Sequence, residues 1–340
     1  MKSRSSIFSS ESLAELRIPR DWWASLAVVV LLVVTAEIVA RVLLAPIGDF
    51  LWAYESTAQS RSFEWYRDQA QNGNPPAVAV IGDSTGARNF DPQTFGVAAG
   101  MENVVNLARP GNFPRAVRSN SLPLFDQDNV PRFVILMQWP ESLRDDPRTD
   151  QIEAGAVSPV LEARLDGALL PTDITYLARL FPARQYLLDH WVRGRPLIRP
   201  ANNQGFFPLD PESTPVVRAN PTLTNDSELR FSEARRDVIV DLVRLAEARN
   251  FEIIVPMGPY RVGDNYAFGN RHFEWLENLQ AEHCDVMHIF DFRIASGIAY
   301  EDFKDNHHLY ESGAKVWSEQ FGYAVRDFLN QPAELRTRCP

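Results

Sequence analysis

Ala77-Val-Ala-Val-Ile-Gly82-Asp83-Ser84 is the stretch that decides the fold: an apolar run that ends abruptly in small and polar residues. An apolar run without polar alternation reads as a strand buried on both faces, the condition of a strand inside a parallel sheet. Ending it at Gly-Asp-Ser puts the Ser84 hydroxyl on the rim of that sheet. Further short apolar runs follow at residues 104–107, 133–137, 251–255 and 287–292, each bounded by turn residues. The connections between them are long enough for helices. One helix is predicted over 233–249, where Val238, Leu242, Leu245 and Ala246 recur at helical spacing; others are predicted around 272–283 and over 311–329. This alternation predicts a doubly wound α/β domain with its site at the strand ends.

The composition fits that reading. With 45% hydrophobic and 23% charged residues, the 340-residue chain has the content of a globular protein. A formal charge of −10 and the absence of a Lys/Arg cluster argue against a nucleic-acid partner. Local arginines such as Arg88 and Arg109 remain candidates for binding an anionic group or substrate in a cleft. The two cysteines, Cys284 and Cys339, exclude a disulfide framework and a cysteine-rich zinc site; they either pair or stay unpaired with Cys284 buried.

The other long apolar run lies near the N-terminus. Residues 22–36 are uncharged and apolar but for Ser25 and Thr35, and 38–46 extend the run, broken by Glu37 and Arg41 at i,i+4 spacing. A span of about 20 apolar residues matches a bilayer core at 1.5 Å per residue, and Trp22 and Trp23 fit an interfacial belt. The expectation is an uncleaved transmembrane helix over 22–45, with a cleaved signal peptide and a buried core helix as competitors. Lys2, Arg4, Arg17 and Arg20 slightly outweigh Glu11, Glu15 and Asp21, which predicts a cytoplasmic segment over 1–21. The protein would then be single-pass in the inner membrane, its large domain in the periplasm or outside the cell. A linker helix over 46–76, an α/β domain over 77–330 with an insertion over about 142–231, and a tail over 331–340 complete the expected organisation.

Ser84 needs a base, and Asp305-Asn306-His307-His308-Leu309 supplies candidates. A serine hydroxyl is a weak nucleophile until a base lies within hydrogen-bond reach and a third group fixes the base's tautomer. Asp305 and His308, two residues between them, can act as orienter and base from one turn. His307 would point about 100° away if that turn were helical. Acyl chemistry also needs donors aimed at the developing oxyanion. The Ser84 N–H is one, and Gly111, in Asn106-Leu-Ala-Arg-Pro-Gly111 after the second strand, is a natural second. No cofactor is called for. His190, His272, His283 and His288 show no ligand spacing with carboxylates, so no metal is expected.

Gly82-Asp83-Ser84, Asn106-x4-Gly111 and Asp305-x-x-His308-Leu309 resemble, in order and placement, the blocks of the SGNH (GDSL-type) hydrolase superfamily. The resemblance covers roughly residues 77–330, the insertion excepted. It implies a flavodoxin-like sheet, a Ser84/His308/Asp305 triad and an oxyanion hole that includes Gly111. The family's third block, Gly-x-Asn-Asp, is replaced here by Met137-Gln-Trp-Pro-Glu-Ser142. Proline cannot donate, and Gln138 is the candidate substitute; losing one such donor costs about 100- to 1000-fold in turnover. Together with the anchor, the resemblance is similar to membrane-tethered alginate O-acetylation and D-alanyl transfer proteins. It implies acyl transfer to or from a cell-envelope glycan beside a multispan membrane acyltransferase.

Each block also has a structural reading. Ser84 and Asp305 suit helix caps, and His308 suits a satisfied interior histidine; each reading holds singly, but jointly they must explain three ordered blocks by accident. Three functional classes follow: an O-acyltransferase or esterase on a glycan, a tethered small-ester esterase, and an inactive glycan-binding or assembly component. The Pro- and Arg-rich insertion, with Gly205-Phe-Phe-Pro208, is read equally as a lid or as a packing appendage.

Overall fold

The computed structural model describes residues 22–35, 76–125, 130–145, 205–209, 230–261 and 265–332, with the single residues 69, 72 and 211. The domain runs β1 (Val78–Gly82), α1 (Ser84–Asn89), α2 (Pro92–Ala99), β2 (Val104–Asn106), α3 (Pro114–Phe125), β3 (Phe133–Met137), α4 (Glu233–Arg249), β4 (Glu252–Met257), α5 (Ala267–Glu282), β5 (Met287–Asp291) and α6 (Glu311–Leu329). The five strands form one sheet in the order β2-β1-β3-β4-β5, every pairing parallel. All residues of β1, β2 and β3 are buried, as the uninterrupted apolar runs of β1 and β3 require. This is the flavodoxin-like order, whose crossovers diverge at the C-terminal ends of β1 and β3. Ser84 lies just past one of those ends and Trp139 just past the other.

Side-chain alternation along the strands divides the core into two layers. Ala79, Ile81, Val134 and Leu136 face α3, α4 and α5; Val78, Val80, Phe133 and Ile135 face α1, α2 and α6. Ala314, Trp317, Phe321 and Val325, spaced three to four apart on α6, are fully buried, and Phe95 of α2 meets Phe321 at 5.2 Å between ring centroids. Burying one such ring contributes about 1.5–3 kcal/mol. This layer therefore holds the C-terminal helix, and the turn before it, firmly against the nucleophile side of the sheet.

Gly82 shows why the strand must end as it does. Its φ is +146°, and a Cβ there would stand 1.8 Å from the Met137 carbonyl oxygen, so only glycine lets β1 turn this close to β3. The Asp83 N–H then donates to that same carbonyl at 3.1 Å.

The insertion leaves and returns at one place. Arg144 and Phe231 form an antiparallel bridge, flanked by Asp145 N–H to Arg230 O (2.9 Å) and Ser232 N–H to Leu143 O (2.8 Å). Residues 205–209 come back into the domain: Phe206 and Phe207 are buried beside α1 and α6. The Phe207 N–H donates to Ala87 O, and Leu209 O accepts from the Glu311 N–H. This segment is core packing; the rest of the insertion, read equally as a lid or as a packing appendage, lies outside the described residues.

The membrane anchor is corrected. Of the apolar run expected to span a bilayer over 22–45, residues 22–35 form an exposed helix, and 36–45 lie outside the described residues. Among the described residues no helix is long and apolar enough to cross a membrane. The single-pass inner-membrane location, and the periplasmic or external placement that followed from it, are therefore withdrawn. The N-terminal segment 1–21 and most of the expected linker helix also lie outside the described residues. Cys284 is buried and disulfide-bonded; the other cysteine of the chain, Cys339, lies outside the described residues.

Candidate active site

Ser84 is the first residue of α1, half-buried at the end of β1, with Asp83 as the N-cap. The Asp83 carboxylate accepts from the Thr85 N–H (2.8 Å) and hydroxyl (2.7 Å) with one oxygen, and from the Trp139 N–H (2.8 Å) with the other. One buried side chain thus caps the nucleophile's helix and ties it to the loop after β3. Burial pushes the Asp83 carboxyl above its ordinary range, while the bonds from Thr85 and Trp139 pull it down.

Residues 305–308 are a non-helical turn closed by Asp305. Its Oδ1 accepts from the backbone N–H of His307 (3.1 Å) and His308 (2.9 Å), and its Oδ2 meets His308 Nδ1 at 2.7 Å. Burial works to raise the Asp305 carboxyl, but the His308 bond and the two neighbouring imidazoles hold it well below the carboxylate range. An ionised carboxylate only accepts, so His308 Nδ1 carries the proton it donates. His308 Nε2, the other ring nitrogen, is buried without a hydrogen-bond partner. Ser84 is not bonded to it in this state.

His307 sits differently. Its ring stacks on Trp139 with centroids 4.1 Å apart and planes 18° apart, and its Nδ1 is 3.6 Å from Asp305 Oδ1. Burial, reinforced by His308, depresses its basicity against the pull of Asp305. Asp305, His307 and His308 offer ligand atoms within 4.8 Å of one another, a spacing a metal ion can bridge. Both Asp305 oxygens already accept hydrogen bonds, which suits an orienting carboxylate as well.

The turn is fastened to α1 by a residue that sequence reasoning passed over. Asn89, at the far end of α1, donates to His307 O (2.7 Å) and accepts from the Leu309 N–H (2.8 Å), gripping the backbone on either side of His308. Asn89 is 1% exposed. Nothing in a lone asparagine near Gly-Asp-Ser signals this; only the tertiary approach of α1 and the turn creates it.

The remaining candidates separate. Gly111 lies in the turn after β2 with φ +77° and open space where a side chain would be. Asn106 is structural: its amide donates to Gly86 O (2.8 Å) and Phe90 O (3.1 Å), and its oxygen accepts from the Ala108 N–H. Arg88 packs its guanidinium over Phe207 at 5.5 Å, and the Arg109 N–H donates to Gly82 O. Gln138 does not join the serine. Gln138 lines a cavity with Ile81 and Leu136 on the opposite sheet face from α1. The strand pleat sends residue 138 to the same side as residue 136.

Neither a family model nor a curated protein matches this chain. Among solved structures it is similar to a protein assigned to the lipolytic G-D-S-L family from Desulfitobacterium hafniense DCB-2. That likeness has 15% identity and a TM-score of 0.37, covering 73% of this chain and 98% of that one.

Proposed function

We propose that the chain is a serine-dependent esterase or acyltransferase of the SGNH type, with Ser84 as nucleophile, His308 as base and Asp305 as orienter. The observation that carries this is the 2.7 Å Asp305–His308 contact, which leaves a buried, unpartnered Nε2 on a turn that Asn89 fastens to the Ser84 helix. Ser84 Oγ attacks the ester carbonyl as its proton passes to His308 Nε2. The tetrahedral adduct collapses, His308 protonates the departing alkoxide, and an acyl-Ser84 ester remains. Water or an acceptor hydroxyl, deprotonated by His308, then releases the acyl group.

The oxyanion is assigned to the Ser84 and Gly111 N–H groups. The loop after β3 adds nothing: Trp139 N–H is held by Asp83, and Pro140 has none. A hole short of one donor is about 100- to 1000-fold slower than a full one, so slow turnover is expected. The glycan acceptor and the membrane acyltransferase partner inferred from the anchor lose that support. The proposal is therefore for the reaction type, with the alcohol half of the ester left to assay.

Labelling with a fluorophosphonate, followed by peptide mass mapping, tests the mechanism. Wild type should label at Ser84, Ser84→Ala should not label, and Asp305→Asn should slow labelling by roughly ten-thousand-fold. Equal labelling of wild type and Ser84→Ala would overturn the proposal. Acetate release from 1-naphthyl acetate and from an O-acetylated polysaccharide then separates small-ester from glycan substrates.

A further inference from the structure

Behind the 305–308 turn, a row of rings runs from the core to the base. Tyr266, fully buried, lies nearly parallel to Trp139, with 4.9 Å between centroids and 8° between planes. Trp139 in turn stacks on His307 at 4.1 Å and 18°, and His307 meets His308 at 4.0 Å with the planes tilted by 46°. Tyr260 stands edge-on to both Trp139 (5.2 Å) and Tyr266 (5.3 Å), which braces the inner end of the row.

Hydrogen bonds alone do not fix the two imidazoles. His307 Nδ1 is buried without a partner, and its 3.6 Å to Asp305 Oδ1 is too long for a hydrogen bond. Asn89 grips the backbone on either side of His308, which leaves the planes of the rings unset. The His308 ring has one bond, from Nδ1 to Asp305 Oδ2, and a single bond leaves a ring free to tilt about the contact. The plane of His307 therefore follows from Trp139, and the tilt of His308 from His307. Trp139 also reaches the nucleophile. Its backbone N–H donates at 2.8 Å to the Asp83 carboxylate, and Asp83 caps the helix that Ser84 begins.

We infer that Trp139 is a positioning residue for the proposed acyl transfer: its backbone is tied to the cap of the Ser84 helix, and its ring, acting through His307, aims His308 Nε2. This role rests on the Ser84/His308 reading. It gives the loop after β3 a task other than donating to the oxyanion, and it gives His307 one as the spacer between indole and base. A residue that only packs would act on stability whatever stands at 307. A residue that positions through His307 acts on rate, and only while a ring is there to pass the contact on.

The rate of fluorophosphonate labelling at Ser84, measured on the full chain in a double-mutant cycle, tests this. Trp139→Leu keeps the backbone bond to Asp83 and loses the ring, and it should slow labelling about 10- to 100-fold, as should His307→Ala. In the His307→Ala background, Trp139→Leu should cost less than about threefold more, because the ring it acts through is gone. Trp139→Phe and His307→Phe each keep a stacked ring and should label within about threefold of wild type. Should Trp139→Leu fail to give a native circular dichroism spectrum, the comparison of His307→Ala with His307→Phe, made at a partly exposed side chain, carries the test. Equal cost of Trp139→Leu in both backgrounds would overturn the role, and so would His307→Phe as slow as His307→Ala. Either result with wild type still labelled at Ser84 removes the role and leaves the proposed reaction standing, whereas wild type that does not label at Ser84 removes both.

Discussion

Asn89 is the residue on which the relation between Ser84 and His308 rests, because its two side-chain bonds hold the backbone at 307 and 309 to α1. Removing them leaves the Asp305–His308 pair intact but frees the turn that carries it. Asn89→Ala is therefore expected to lower the labelling rate of Ser84 about 10- to 100-fold, since small misplacements of reacting groups are costly. Asn89→Asp should be at least as slow, because a carboxylate cannot donate to His307 O. A merely structural role would lower thermal stability and leave the pH profile of labelling unmoved; a positioning role shifts that profile as well. Gly82 makes a different demand. Gly82→Ala would force a methyl group to 1.8 Å from the Met137 carbonyl oxygen, so the variant should fail to accumulate as soluble, cooperatively folding protein. Circular dichroism on purified material checks it.

At the scale of elements, Phe206 and Phe207 bridge the helix that begins at Ser84 and the helix that follows His308. Phe207→Ala should destabilise the domain by about 3–5 kcal/mol, measured by urea unfolding, as expected for truncating a buried ring. The central strands were legible in the chain because each is a solid apolar run, and β3 and α4 fall at the predicted residues. α6 was legible too, because Ala314, Trp317, Phe321 and Val325 mark one helical face. α1 was not: its six residues, Ser-Thr-Gly-Ala-Arg-Asn, carry no periodicity, and the helix exists because Asp83 caps it and α6 packs on it. The role of Phe206 and Phe207 was hidden for a similar reason, since an aromatic pair between a glycine and a proline has no local partner. Asp305 and His308 could be read because they are three residues apart. Gln138 could not, because its direction depends on the pleat of β3 and on the helices packed beneath it.

Over the whole molecule, acid should act through buried imidazoles. Burial, with Arg236 adding to it, lowers the His272 pKa from 6.5 to about 3, and His307 is depressed in the same direction. A histidine kept neutral in the fold takes up its proton on unfolding, so the unfolded chain binds more protons between those two values. Stability is then fully present above about pH 6.5 and is lost as pH falls toward 3, with a limiting slope of roughly 1.4 kcal/mol per pH unit per histidine. Urea unfolding at pH 7.5 and 5.0 should show this loss, and His272→Leu should show less of it. The bridge between Arg144 and Phe231 acts at this scale as well. It fixes where residues 146–229 depart and rejoin, and 205–209 fasten them once more between those points. Closing a longer length of chain costs only about 0.6 kcal/mol per doubling. Evolution can therefore lengthen or shorten the sequence on either side of 205–209 with little effect on the sheet, while a shift of that segment by one residue would exchange a core phenylalanine for a glycine or a proline.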